Sequence, residues 1–171
     1  MNRIIDLRSD TISKPSPEML QVMQAIDLNK IGDDVFGEDQ YVNELEEHAA
    51  KMFGMEAGLF CPSGTMTNQI AIHLQSGPGK EVICDAISHV YIYEGGGIAA
   101  NSGASVRLLN GNNGKFTAEQ VLHQINKEDV HFPRTSLVCI ENTVNRGGGA
   151  CWDLNEIKKI HAVCKDKKLK L

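Results

Sequence analysis

The sequence holds no run approaching the roughly 20 apolar residues that a membrane-spanning helix needs. It has no Cys-x-x-Cys pair, no internal repeat and no low-complexity tract. Gly-x-Gly-x-x-Gly and Gly-x-x-x-x-Gly-Lys-Ser/Thr are both missing, which counts against a dinucleotide site and a P-loop. Positive charge is short as well: 17 Lys and Arg face 22 Asp and Glu, for a formal net charge of −5. Nucleic acids and anionic membranes select a basic face, so neither is an expected partner. The first ten residues include Arg3, Asp6, Arg8 and Asp10, and no apolar stretch of signal-peptide length follows. A cytoplasmic location is the expectation. The five cysteines, Cys61, Cys84, Cys139, Cys151 and Cys164, are odd in number, and Cys84 and Cys139 stand inside apolar runs. They read as small buried hydrophobes in a reducing compartment rather than as a disulfide or a metal site.

What is present is an ordinary globular composition, 42% hydrophobic and 23% charged over 171 residues. A chain of that length buries about 70% of its unfolded surface. Ser16-Pro17-Glu18 opens a helix on which Met19, Met23 and Ile26 recur at helical spacing. A second helix is expected from about Tyr41 to Phe53, with Val42, Leu45, Ala49, Met52 and Phe53 as its apolar stripe and Gly54 as its stop. Ala57 to Cys61 reads as a buried strand, and Ser63-Gly64-Thr65 turns into a third helix carrying Ile70 and Leu74. Further strands are expected at Glu81–Asp85, Val106–Leu109 and Leu137–Ile140. Capping boxes at Thr117-Ala118-Glu119-Gln120 and Asp153-Leu154-Asn155-Glu156 announce two more helices. The last helix is expected to bury Ile157, Ile160, His161 and Cys164. Alternation of apolar strands with helices predicts an α/β fold, a mostly parallel sheet flanked by helices. Lys167 to Leu171 begins to alternate like a strand; a frayed basic helix end fits the local pattern equally well.

Ligands of open α/β sheets lie beyond the C-terminal strand ends. Ser63-Gly64-Thr65 has the chemistry for a phosphate there, with free backbone N–H groups, two hydroxyls and the positive end of a helix. Ser88-His89 follows the strand ending at Asp85, and Glu94 comes five residues on, before Gly95-Gly96-Gly97. Glu141-Asn142-Thr143-Val144-Asn145-Arg146 follows the strongest strand. Taken singly, each stretch reads as well as an ordinary turn, a loop histidine or a solvated loop.

In order, Asp6-Leu7-Arg8-Ser9-Asp10-Thr11, Gly32-Asp33-Asp34-Val35-Phe36-Gly37-Glu38-Asp39, Pro62-Ser63-Gly64-Thr65, Ser88-His89, His131-Phe132-Pro133-Arg134-Thr135 and Glu141-Asn142-Thr143 resemble the L-threonine aldolases of low specificity. These are pyridoxal-phosphate enzymes of the aspartate-aminotransferase-like fold, fold type I. The resemblance covers nearly the whole chain. It implies that Ser63, Gly64 and Thr65 cradle the phosphate of pyridoxal 5'-phosphate and that His89 stacks on its ring. It places His89 and His131 near the substrate hydroxyl, Ser9 on the substrate carboxylate, and Glu94 near the active-site water. Asn142 and Arg134 support the site. The implied substrate is a β-hydroxy amino acid, threonine or allo-threonine, cleaved to glycine and acetaldehyde. A neutral-range imidazole suits the proton transfer.

By the same resemblance, residues 1–40 are an N-terminal arm, helix and acidic loop near a subunit interface. Residues 41–171 are the incomplete pyridoxal-phosphate-binding large domain of a self-associating enzyme, a dimer of dimers. Phe36 stands where the family commonly has Tyr, and Val144 where it commonly has His. The family continues into a His-x-Asp-Gly-Ala-Arg stretch and then the lysine that carries the cofactor. Neither is in this sequence, so the 171-residue chain alone is expected to be inactive. Two alternatives remain: a non-catalytic truncated piece, and a related pyridoxal-phosphate lyase acting on another β-hydroxy amino acid.

Overall fold

The computed structural model describes residues 5, 6 and 9–171, so Leu7 and Arg8 of the first motif lie outside the described residues. The chain falls into two compact units, Met1–Phe60 and Cys61–Leu171. Among the described residues, no helix is long and apolar enough to cross a membrane.

The first unit carries α1 (Pro17–Gln24) and α2 (Gln40–Phe53). Its helix starts follow the local chemistry. Ser16 Oγ accepts the Met19 N–H, and Pro17 occupies the first turn. Asp39 Oδ1 accepts from Tyr41 N and Val42 N at 3.0 and 3.1 Å. Gly54, at φ 63°, closes α2 in the left-handed conformation that suits glycine. The expected stripe on α2 is not a core here. Ala50 is its one buried residue, while Leu45, Met52 and Phe53 are exposed. Residues 57–61 are not a strand. An extended segment becomes one only when a neighbour completes its ladder, and none does among the described residues.

The second unit holds the sheet. β1 (Lys80–Asp85), β2 (Ser105–Leu109) and β3 (Arg134–Val138) are all parallel, in the order β2-β1-β3. The expectation of a parallel sheet flanked by helices is thus met. β3 begins three residues before its apolar stretch, because Arg134 pairs with Lys80 at the start of β1. Beyond β3, Lys170 N donates to Ser136 O and Lys170 O accepts from Val138 N, both at 2.9 Å. The alternating end of the chain therefore lies against β3 as a parallel bridge.

Alternate strand residues feed two cores, as the two-residue repeat of a strand requires. Val82 and Leu137 pack with Ile72 of α3 (Gly64–Gln75) and Ile98 of α5 (Gly97–Ser102). Ile83 and Val138 pack with Val121 of α6 (Ala118–Gln124) and Ile160 and Cys164 of α7 (Leu154–Asp166). Between β1 and α5 lies the short helix α4 (His89–Ile92).

Three side-chain expectations are corrected. On α3 the inward residues are Gln69 and Ile72, while Leu74 is exposed. On α7, His161 is exposed and Val163 takes the inner place. Thr117 and Gln120 form the expected reciprocal capping box, but Asp153 caps α7 alone. Glu156 turns away from its own N-cap and accepts Ala118 N at 3.0 Å, tying α7 to the start of α6.

Burial decides the chemistry of two thiols. It pushes Cys84 up to about 11 and Cys139 up to about 12. Cys84 is fully buried. Its contribution to stability is fully present below pH 9, where the thiol is neutral folded and unfolded. Above pH 9 the unfolded thiol ionises first. Stability then falls by up to about 1.4 kcal/mol per pH unit for this group, until the folded thiol ionises near 11. Urea denaturation at pH 8, 9 and 10 should show this slope, and Cys84→Ala should reduce it.

Candidate active site

The C-terminal ends of β1 and β3 carry the groups of interest. After β1, the Ser88 hydroxyl donates to Asp85 O at 2.8 Å, and Asp85 accepts from Ile87 N and Gly111 N. This folds residues 86–88 into a tight turn that delivers His89 to the start of α4. After β3, Glu141 reaches back. Its carboxylate accepts His89 N at 2.6 Å and Asn145 N at 2.8 Å. Trp152 Nε1 donates to Glu141 O at 2.8 Å, and Trp152 N donates to Asn142 Oδ1 at 3.2 Å. Asn142 thus pins the loop after β3 through the Trp152 backbone.

The His89 ring is fixed from the other side. Nδ1 lies 2.8 Å from Glu94 Oε1, and the Glu94 side chain is fully buried. The same carboxylate accepts Asn68 Nδ2 at 2.8 Å and Gln69 Nε2 at 2.6 Å. An ionised carboxylate only accepts, so three converging donors suit it. The Tyr93 ring lies 5.5 Å from the imidazole, tilted by 53°, and Arg146 sits 5.9 Å over the Tyr93 ring.

Ser63 caps α3, accepting Met66 N at 3.2 Å. Gly64 N and Thr65 N have no partner among the described residues, and a Cβ on Gly64 would meet only open space. This is a helix end with free N–H donors, an exposed Thr65 hydroxyl and room beside them. Asn68, four residues beyond Gly64, stands on the same face of α3, one turn along. The phosphate-type turn and two of the donors that hold Glu94 are therefore built on one helix. Ser63, Thr65 and Gln69 also line a surface groove of about 720 Å³ with Met66, Ile70 and His73.

Other expected site residues lie elsewhere. His131 precedes β3, beyond the sheet edge opposite to His89, which follows β1. Five residue steps of parallel strand, about 16 Å, separate the two edges. The His131 ring is exposed and bonded to Asp129 Oδ1 at 2.8 Å. Arg134 is exposed on that same edge. Ser9 lies in the first unit, with its Oγ 2.9 Å from Thr11 Oγ1. In the acidic loop, Asp33 and Asp39 serve turns and the α2 cap. Val144, in place of the family's common histidine, is fully buried in the α6–α7 core.

The sequence motifs include Glu141 without indicating its hold on His89 N, and they include neither Asn68 nor Gln69. A trace of Gln69 was available in Gly97, where any Cβ would overlap the Gln69 amide.

Residues 6–171 match the family model described as beta-eliminating lyase. The chain belongs to the beta-eliminating lyase family. Within it, the chain is 42% identical to the low specificity L-threonine aldolase of Saccharomyces cerevisiae, over 97% of this chain and 42% of that protein. It is 38% identical to the Escherichia coli K12 low specificity L-threonine aldolase, over 83% and 42%. Among solved structures, the Leishmania major threonine aldolase superposes with a TM-score of 0.55 at 32% identity, over 63% of this chain and 31% of that one. The chain thus spans less than half the length of these relatives. The family and its threonine aldolase members are pyridoxal-phosphate-dependent lyases.

The Glu141 link is testable on its own. Replacing Glu141 with Ala leaves two backbone N–H groups without their charged acceptor. It should cost about 1.5–3 kcal/mol, read by urea denaturation, with Asp153→Ala, a simple cap loss, as a milder control of about 1 kcal/mol.

Proposed function

We propose that this chain forms the phosphate-cradling and proton-handling part of a pyridoxal-phosphate-dependent threonine aldolase. That enzyme cleaves L-threonine or L-allo-threonine to glycine and acetaldehyde. The observation that carries the reading is His89 paired to buried Glu94, whose carboxylate is held by Asn68, one helical turn along α3 from its free N–H groups. The residues present fit the cofactor. Gly64 N, Thr65 N and the hydroxyls of Ser63 and Thr65 would hold its phosphate, where the α3 dipole favours negative charge. His89 would lie against its ring, as the resemblance implies. When bound, the cofactor supplies the electron sink for the broken Cα–Cβ bond.

The chain's own groups do the rest. Glu94 takes the proton-bearing Nδ1 of His89, which leaves Nε2 as the atom that accepts the β-hydroxyl proton, directly or through water. Glu141 fixes the backbone of His89, so the ring moves little during the transfer. Ser9 is assigned to the substrate carboxylate.

The family description favours one second reading, β-elimination from a hydroxy amino acid. The products separate them. Retro-aldol cleavage releases acetaldehyde and glycine; elimination releases ammonia and a keto acid. In the full-length protein, acetaldehyde coupled to an alcohol dehydrogenase should appear with threonine, and ammonia without acetaldehyde would overturn the aldolase reading. Ser63→Ala and Thr65→Ala should each weaken cofactor binding about tenfold, one hydrogen bond to a charged phosphate being worth 1.5–3 kcal/mol. Absorbance titration with pyridoxal phosphate reads this directly.

His131 stands beyond the opposite sheet edge from His89. We infer that it serves the substrate of another copy of the chain, in keeping with the expected self-association. Full-length His89→Asn and His131→Asn proteins should each be nearly inactive, and subunits of the two mixed by co-refolding should regain activity. Failure of every mixture to exceed the two parents would remove His131 from the reaction.

A further inference from the structure

Gln69 belongs to none of the recognised motifs, yet it is buried in the middle of α3 beside Ile72. Both ends of its amide are used. Nε2 donates to Glu94 Oε2 at 2.6 Å, and Oε1 accepts from Asn101 Nδ2 at 3.2 Å. The carboxylate fixes the sense of the amide, because only the NH₂ can donate to it, and the Gln69 oxygen left over receives Asn101 Nδ2. Gly97 makes the seat. A Cβ there would overlap Gln69 Oε1 and Cδ, while the Gly97 backbone lies outside the left-handed region. Glycine at 97 is therefore needed for room and not for conformation. Positions 69, 97 and 101 act as one device aimed at Glu94.

We propose that Gln69, seated against Gly97 and aimed by Asn101, is a positioning residue that sets the tautomer of His89. Occupying Oε2, it turns Glu94 so that Oε1 meets His89 Nδ1. The proton of neutral His89 then sits on Nδ1. Nε2, which has no partner among the described residues, is left bare as the acceptor. Without that amide Oε2 loses its donor and Asn68 alone holds the carboxylate through Oε1, so the carboxylate turns more freely and the imidazole moves towards the Nε2–H form that neutral histidine prefers in water. Gln69 touches no reacting atom in this scheme; it acts through Glu94. The inference rests on the reading of His89 as the proton-handling residue, but its first readout does not require activity.

The test uses full-length protein labelled with ¹⁵N-histidine, with His89 assigned by His89→Asn, at a pH where its imidazole is neutral. Wild type should show His89 as Nδ1–H. Gln69→Leu should shift it towards Nε2–H and lower kcat for threonine cleavage about tenfold, the effect of one lost hydrogen bond to a charged group, with KM changed less. Gly97→Ala should repeat both effects, and adding it to Gln69→Leu should change nothing further, since the displaced amide is already gone. Asn101→Ala, at an exposed position, should give a smaller shift of the same sign even if Gln69→Leu fails to fold. An unchanged tautomer in Gln69→Leu, or in Asn101→Ala where the first variant does not fold, overturns the proposal. So do independent, multiplying effects of positions 69 and 97. No threonine cleavage by wild type, with the tautomer still shifted in Gln69→Leu, would sink the aldolase reading and leave the positioning role standing; cleavage by wild type with an unresponsive tautomer in the variant would do the reverse.

Discussion

The arrangement depends on one buried carboxylate. Glu94 has a fully buried side chain, and no Lys or Arg among the described residues is paired to it. Leaving such a group unsatisfied in the interior costs several kcal/mol. Three side chains meet the demand: Asn68 and Gln69 from α3 and His89 from α4. Asn101 of α5 then holds Gln69. The polar requirement of one residue thus dictates how three helices meet on one face of the sheet. It also explains a glycine, since the Gln69 amide fills the space where a side chain at 97 would stand.

A second carboxylate works in a different way. Glu141 engages backbone N–H groups, fastening the loop after β3 to the turn after β1. Trp152, packed edge-on against Phe116 at 5.2 Å, anchors the same loop to the α6–α7 core through its indole N–H. His89 is therefore held at its main chain from the β3 side and at its ring from the α3 side. Backbone fixation sets where the imidazole stands; ring fixation sets which nitrogen is free. These are separate tasks, and two acids do them.

Much of this was legible in the sequence, and the failures have physical reasons. Helix starts at Ser16, Ser63 and Thr117 were readable because capping is local chemistry. β1 was readable because a strand buried on both faces carries an apolar run, here Val82-Ile83-Cys84, and β2 from its short apolar segment ahead of a Gly-Asn turn. Residues 57–61 carry the same signal, but a strand also needs a partner, and pairing is not a local property. On α3, Ile70 and Leu74 define one possible inner face and Ile72 another. Gln69 belongs to the second, and an amide in mid-helix reads as solvent-facing until its acceptor is known. Glu94 and His89 were both singled out, while the donors that make the pair sit 20 or more residues away in sequence. His131 fails as a neighbour of His89 for a reason the strand direction already contains: one residue precedes a parallel strand and the other follows one.

The coupling between the two parts of the site follows from helix geometry. Gly64 and Asn68 are four residues apart, so they stack on one face of α3 about 6 Å apart along its axis. A ligand phosphate bound, as proposed, at the N–H groups of Gly64 and Thr65 would thereby be in register with the amide that grips Glu94, and through Glu94 with His89. A rigid helix of 12 residues transmits this register better than a loop would. Moving the phosphate end of a ligand without moving the histidine would require α3 to bend or slide, and Ile72 is locked into the sheet core against Val82 and Leu137. The placement of His89 is therefore set in part by the packing of an apolar residue one turn further along the same face of the same helix.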